Sequence, residues 1–367
     1  MKILISESTK GMGGQELAVL LQAEGLLKRG HHVSLVLEPG SSLCGMALAK
    51  GFPVAQVKMD RLRYPSAVFA FRGMLQRERP DVLHMNSSRD SWIGTIAARL
   101  VKPRPGLVRS RHISIPLSRS LTTRLLYRHM LDRVIVTGVE RTRRGLIERD
   151  GLRPDRVDAF PIGIDLASFQ PGPPQPDLRV ELGLESDHRL VGMIAYLRSY
   201  KGHEHLISAA ARVLSRMKNV TFLIVGEGPE EANLRSRIDA LGLQHGVRML
   251  GFRQDLLNVF RSLDAFVIPS VEGDTIPQVV LQAFAMGLPV VSTTVGSIPD
   301  VVRDGETGFV VPPRDVDALA ERLERVLADP GLGRKMGARG RRMVEEEYAL
   351  DRMLDRLEEV YQKACRK

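Results

Sequence analysis

PSVEGDTIPQVVLQAFAMGLPVV, residues 269–291, reads as a loop, a helix with a marked start and the opening of a buried strand. Thr275 with Gln278 three residues on matches a capping box, and Pro277 falls in the first turn, where its missing N–H is harmless. The helix is therefore expected to begin near Thr275. A helix N-terminus presents free amide donors and the positive end of its dipole, so a loop that delivers it to a crevice makes a phosphate site. Thr275, Ile276, Pro277 and Gln278 would line that site, and Gln282, two turns in, reaches past the phosphates.

Working outward, short apolar runs alternate with helical stretches. Residues 3–6, 32–37, 81–84, 107–111 and 133–137 read as strands, and so do 190–195, 221–225, 247–250, 265–268, 289–292 and 308–311. That alternation is the mark of a doubly wound parallel sheet, met here twice. PGPPQP at 171–176 separates the two sets. The expected organisation is α/β, with Rossmann-like domains at 1–170 and 178–348, a linker at 171–177, and a ligand crevice between the domains at the carboxyl ends of the strands. A last helix, about 349–367, has no strand after it.

Composition is that of a globular protein: 367 residues, 43% hydrophobic and 26% charged, enough for two domains with cores of their own. No apolar run of about 18 residues occurs, and Met1-Lys2 leads straight into a strand, so neither a membrane span nor a signal peptide is expected and the chain reads as cytoplasmic. Cys44 and Cys365 lack metal or redox spacing and read as free thiols. The net charge of +10 is uneven: residues 1–170 hold 27 Lys and Arg against 15 Asp and Glu. A basic first domain suits anionic lipid or a phosphorylated glycolipid, and residues 60–79 interleave five arginines with Leu62, Tyr64, Phe69, Phe71 and Leu75 as a basic amphipathic surface would. A solvated helix face explains the same run equally well. With 5% aromatics and no recognition motif, nucleic acid is not an expected partner.

The segment at 269–291 resembles the donor-binding signature of the retaining GT-B glycosyltransferases of family 4, in which two glutamates eight residues apart grip a nucleotide sugar. On the register of its proline and Val-Val-Leu core, the first acid falls on Asp274 and the second on Gln282, so both glutamates are replaced. Asp274 keeps a carboxylate, with Glu272 the alternative, and Gln282 keeps a head that can hold ribose hydroxyls without charge. The resemblance implies a GT-B fold whose final helix crosses back to the first domain, and it extends along the chain. Gly13, Gly14 and Glu16 look like the family's G-G-x-E opening, whose glycines lie near the donor phosphate and acceptor. This loop lacks the G-x-G-x-x-G spacing of a dinucleotide site, and a purely structural turn is its other reading.

His84, Asn86, Ser88 and Asp90 follow a strand where the family places acceptor contacts, with Asn86 departing from a histidine; a turn or helix cap competes at each position, Asp90 above all. His112, beside Arg109 and Arg111, matches a histidine next to the transferred sugar, and its arginine neighbours favour the neutral ring. In Tyr196-Leu197-Arg198-Ser199-Tyr200-Lys201-Gly202 the family's lysine is Lys201, its arginine position holds Tyr196, and Arg198 is the substitute for clamping the diphosphate. Gly226, Glu227 and Gly228, then Arg253, would hold the base.

Other chemistries fit less well. Asp315-Val316-Asp317 spells a D-x-D metal pattern but sits where a helix should start, and no zinc spacing or hydrolase elbow appears, so no metal or cofactor is expected. The reading is thus a retaining, hexosyl-type transferase with a nucleoside diphosphate sugar as co-substrate, a UDP-sugar first. It would act on a glycan or lipid-linked acceptor in polysaccharide or lipopolysaccharide synthesis, peripheral at the inner membrane face. His112, Asp274, Arg198 and Lys201 would carry the catalysis. A noncatalytic nucleotide-sugar or membrane-surface binding protein of the same fold, or a nucleotide-sugar epimerase, is the alternative.

Overall fold

The computed structural model describes every residue except Met12, Ile113, Ser114, Ile115, Arg119, Val139, Asp274, Thr275 and Lys367, and the side chain of Arg61. The chain divides into two compact units, Met1–Gly163 with Leu350–Lys367, and Ile164–Ala349.

The first unit holds seven parallel strands: β1 (Lys2–Glu7), β2 (His32–Leu37), β3 (Val54–Gln56), β4 (Val82–Met85), β5 (Gly106–Arg111), β6 (Arg133–Val136) and β7 (Val157–Ala159), in the order β3-β2-β1-β4-β5-β6-β7. Helices α1 (Gly14–Lys28), α2 (Ser42–Ala49), α3 (Tyr64–Glu78), α4 (Ser88–Arg99), α5 (Leu121–Leu125) and α6 (Glu140–Glu148) connect them. Two hydrophobic clusters lie against the sheet, one around Ile3, Ile5, Val19 and Leu35, the other around Leu4, Phe71, Leu83 and Ile93. Burial on both faces is why these strands read as continuous apolar runs. The edge strands β3 and β7, three residues each and partly exposed, leave no such run and are not legible in the sequence.

The second unit repeats the plan with β8 (Arg189–Ile194), β9 (Val220–Val225), β10 (Val247–Gly251), β11 (Ala265–Ile268), β12 (Val290–Thr293) and β13 (Gly308–Val311), in the order β10-β9-β8-β11-β12-β13. Its helices are α7 (Leu178–Glu181), α8 (His203–Arg216), α9 (Glu231–Ala240), α10 (Leu256–Ser262), α11 (Gln278–Ala285), α12 (Val316–Ala328) and α13 (Pro330–Glu347). The proline-dense segment is no bare tether within this unit. Gln175 N donates to Asn258 Oδ1, Gln170 O accepts from Arg261, and Leu178 N donates to Ser262 Oγ, all on α10. The last helix, α14 (Leu350–Cys365), belongs to the first unit, where Met353, Leu354, Leu357, Val360, Tyr361 and Ala364 join the core around Ile3 and Ile5.

The start of α11 differs from the sequence expectation. The helix begins at Gln278, after Pro277 in an extended conformation (φ −62°, ψ 126°) with no side-chain cap. A proline pushes the residue before it out of the helical region, so the helix starts behind Pro277 and not near Thr275.

Candidate active site

In the second unit the strand order turns between β8 and β11, and the loops after these two strands are tied together. Ser199–Lys201 forms a tight turn; Tyr200 O accepts from Val271 N at 2.8 Å. Gly202, at φ +80°, leads from that turn into α8, and a Cβ there would lie 1.9 Å from Pro269 O. Only glycine lets the two backbones come this close. On the other side Leu197 N donates to Glu227 O at 2.8 Å, and Gly226, at φ +140°, leaves no room for a Cβ against Ala195 O. The β8 loop is thus held between the loop containing Gly226, Glu227 and Gly228 and the loop leading into α11.

Both expected cations ride on this clamped loop. The Arg198 guanidinium is exposed, 5.1 Å from the Tyr196 ring centroid, and Lys201 Nζ lies 5.4 Å from that of Tyr200. Ile276 and Pro277 are buried, and Gln278, partly buried, opens α11 with its N-terminal amides. Gln282 is 7% exposed on the second turn and makes no side-chain hydrogen bond among the described residues. Asp274 and Thr275 lie outside the described residues; the alternative acid, Glu272, is exposed. Arg253 differs from expectation. Its guanidinium holds Glu181 Oε1 at 2.6 Å and Asp255 Oδ2 at 2.8 Å, bonds that raise its pKa further, so the head meant for the base is already engaged by two carboxylates. Asp315 Oδ1 accepts from Ala318 N at 2.9 Å and caps α12, while Asp317 pairs with Arg212, so the D-x-D pattern is a helix start.

In the first unit the order turns between β1 and β4, and polar groups gather at the ends of β1, β4, β5 and β6. Glu7, which no motif singled out, accepts from Thr9 N at 2.9 Å, Thr9 Oγ1 at 2.8 Å, Gln15 Nε2 at 2.5 Å and Ser87 Oγ at 2.5 Å. The one available signal in the sequence is a charged residue closing an apolar run. Gly13, in an extended conformation, caps α1 and Gly14 opens it.

Three residues expected at the acceptor are turned inward. Glu16 is 4% exposed; burial raises its carboxyl pKa, with the Glu7 charge adding, against hydrogen bonds from the backbone of Glu16 and Gly13. Asp90, fully buried, closes a capping box with Ser87 and accepts from Ser6 Oγ, Asn86 N, Ser87 N and Ser91 N at 2.8–2.9 Å. Burial, then Glu7, pushes its carboxyl up to about 7 against the Arg109 charge and the hydrogen bonds from Asn86 and Ser6. His84 is fully buried with both ring nitrogens taken, Nδ1 by Tyr361 Oη at 2.8 Å and Nε2 by Ser110 Oγ at 2.7 Å. Asp90 and His84 thus have no free hydrogen-bonding capacity for a sugar. Ser88 is exposed at the first position of α4, and Asn86 is buried as a bridge.

His112 sits at the open end of this network. Asn86 Nδ2 donates to Ser6 O, which turns Oδ1 toward His112 Nε2 at 3.2 Å. Oδ1 can only accept, so Nε2 carries the ring proton; Nδ1 lies 3.3 Å from Thr137 Oγ1, whose own proton goes to Arg111 O at 2.9 Å. Burial, then the Arg109 charge, then His84, hold the ring down to about 3. Arg109 itself is 5% exposed, with Nη1 on Ser110 O at 2.5 Å.

These groups set a pH dependence. His84 and His112 lie at about 3 and His203 at about 4, each lowered chiefly by burial from 6.5. The unfolded chain therefore binds protons that the folded one refuses, and their stabilisation is full above about 6.5 and lost progressively as pH falls toward about 3. Asp90, raised from 3.8, and Glu16 act in the opposite sense and offset part of this loss. The thermal unfolding midpoint should fall between about pH 7 and pH 5. A rise over that interval would show that the three rings are not buried neutral.

Residues 12–168 match the family model described as Glycosyltransferase Family 4, and residues 174–343 the one described as Glycosyl transferases group 1. The chain belongs to the GT-B glycosyltransferases of family 4. This glycosyltransferase is 34% identical over 215 residues to a GDP-mannose-dependent monoacylated alpha-(1-6)-phosphatidylinositol monomannoside mannosyltransferase of Corynebacterium glutamicum, with 55% of each chain covered. It therefore spans about half the length of that relative. It is 27% identical over 394 residues to a D-inositol 3-phosphate glycosyltransferase of Saccharomonospora viridis, covering 97% of this chain and 90% of that one. An Anabaena protein solved in complex with UDP and glucose has the same fold, with a TM-score of 0.86, 22% identity and 99% of both chains covered.

Proposed function

We propose that this chain transfers a sugar, with retention of configuration, from a nucleoside diphosphate sugar to a glycan or lipid-linked acceptor in cell-envelope polysaccharide or lipopolysaccharide synthesis. The observation that carries the reading is the clamped β8 loop, which holds Arg198 and Lys201 against the loop leading to the N-terminus of α11. Two fixed cations and a set of free amides are what a departing diphosphate requires in a site poor in water. Gln282, buried and uncommitted, bonds the ribose hydroxyls; the neutral His112 is the sugar-binding group of the first unit. The C–O bond to the diphosphate breaks and the acceptor hydroxyl attacks from the same face, its proton passing to the leaving phosphate oxygen. Charge stabilisation of that leaving group supplies most of the rate.

The test is thermal stabilisation and donor hydrolysis with UDP-, GDP- and ADP-sugars. UDP comes first because the Anabaena protein of the same fold was solved with it, and GDP-mannose second because the Corynebacterium relative uses it. Stabilisation by one of them with sugar release is expected; no stabilisation by any would overturn the reading, and tight binding without release in the presence of acceptor extracts would favour a noncatalytic binding protein. Gln282→Ala should raise the donor KM about five- to tenfold with kcat little changed, the scale of one lost hydrogen bond.

We also propose a peripheral membrane position, a reading supported by the surface of the first unit. Among the described residues no helix is long and apolar enough to cross a membrane. α3 turns Phe71 and Leu75 into the core but leaves Phe69 at 66% and the preceding Leu62 at 95% exposure, among Arg63, Arg72 and Arg77. Phe69→Asp should reduce sedimentation with vesicles containing phosphatidylglycerol. Equal sedimentation of variant and parent would exclude this surface.

A further inference from the structure

His84 has no capacity left for substrate, yet a fully buried imidazole with two side-chain partners is an expensive thing to place in a core. Its position shows a use. Side chains two apart on a strand share a face, so His84 and Asn86 point the same way from the end of β4, and Ser110 and His112 the same way from the end of β5. β4 and β5 are neighbours in register, His84 opposite Val108 and Met85 opposite Arg109. The result is two parallel diagonal rungs. The lower joins His84 Nε2 to Ser110 Oγ at 2.7 Å; the upper joins Asn86 Oδ1 to His112 Nε2 at 3.2 Å. Below the lower rung stands Tyr361 of α14, its hydroxyl 2.8 Å from His84 Nδ1 and its ring edge-on to the imidazole at 5.6 Å. Beyond the upper rung stands Thr137, at the end of β6.

We propose that His84 is a positioning residue: through Ser110 and Asn86 it sets the spacing of the ends of β4 and β5 and so the orientation of the His112 ring, with Tyr361 anchoring the ladder to the final helix. The role given to His112 rests on the transferase reading; the ladder itself does not. Nothing in the upper rung is rigid by itself: its hydrogen bond to the imidazole is 3.2 Å long, and Thr137 Oγ1, 3.3 Å from Nδ1, gives its proton to Arg111 O. The lower rung is short, buried and two-sided, and it supplies the stiffness that a precisely placed side chain takes from its supporting hydrogen bonds. α14 is docked on the same face by Met353, Leu354, Leu357 and Val360, so its placement reaches His112 through Tyr361.

Two variants each remove one oxygen from the ladder and leave every group proposed to meet the substrate in place: Tyr361→Phe and Ser110→Ala. The readout is the pair of ring-nitrogen resonances of His112 in 15N-labelled protein without ligand, identified by their loss in His112→Gln. In the parent they should report a single Nε2-protonated tautomer; in both variants they should shift toward the averaged values of a ring exchanging between tautomers, and donor turnover should fall several-fold with donor KM unchanged. His112 resonances that stay at the parent's values in folded variants would overturn the proposal, even if the melting temperature drops, because a merely structural bond lowers stability without moving a ring on the other rung. If Tyr361→Phe fails to fold, Ser110→Ala carries the test. The resonances are read without substrate, so they test the ladder even if the transferase reading fails.

Discussion

Lys201→Ala is expected to lower donor turnover by about 100-fold or more while the protein stays folded, the scale on which one preorganised charge contact to a developing anion is lost. The lysine stands on a turn of three residues held from both sides: Tyr200 O bonds Val271 N, and Gly202 abuts Pro269 O. Such a turn has little freedom to reorganise when the leaving group gains charge, which is the condition under which a fixed cation accelerates departure. Removing it leaves Arg198 and the α11 amides, so residual activity should be measurable as slow release of sugar from the donor. The checking measurement is kcat for donor hydrolysis beside a thermal melt. Unchanged kcat in a folded variant would take Lys201 out of the diphosphate site.

Gly202→Ala should be strongly damaging to the second unit. The residue combines φ +80° with a Cβ position 1.9 Å from a backbone carbonyl oxygen, so the new atom meets a neighbour that cannot rotate away. A left-handed conformation costs alanine about 1 kcal/mol relative to glycine, and forced backbone displacement adds about 1–3 kcal/mol, a total of about 2–4 kcal/mol in urea denaturation. The loop carrying Arg198 and Lys201 would also separate from the loop into α11, so stabilisation by the cognate nucleotide should disappear together with folding free energy. A loss below about 1 kcal/mol would mean that Pro269 yields, and that the closeness of the two loops is not needed.

How far the residues alone carry this reading depends on where each element lies. The strands at His32–Leu37, Ala265–Ile268 and Gly308–Val311 fall where the apolar runs place them, because a parallel strand covered on both faces must be apolar throughout. β3 and β7 are invisible for the converse reason: three half-buried residues at an edge carry no pattern. The capping pattern at Thr275 misplaces the start of α11 because it is outweighed by the restriction that Pro277 imposes on the residue before it. In the second unit, glycines at positive φ are visible as glycines in sequence, and their loops are where the sequence puts them. In the first unit the same kind of polar run is mostly framework: Asp90 caps α4, Glu16 is folded inward and His84 joins Tyr361, a residue 277 positions away.

By itself, then, the order of residues determined the class of fold, the family, and the loops that bear Arg198, Lys201, Gln282 and His112, because each rests on local regularities: apolar runs, glycine turns and short motifs that fold near their own sequence neighbours. Which polar side chains face outward and which are consumed inside was decided only in three dimensions. Arg253 lost its head to Glu181 of α7, and His84 lost both nitrogens to Ser110 and Tyr361, because a hydrogen-bonding group is claimed by the nearest partner the packing provides, and that partner is set by contacts between elements far apart along the chain.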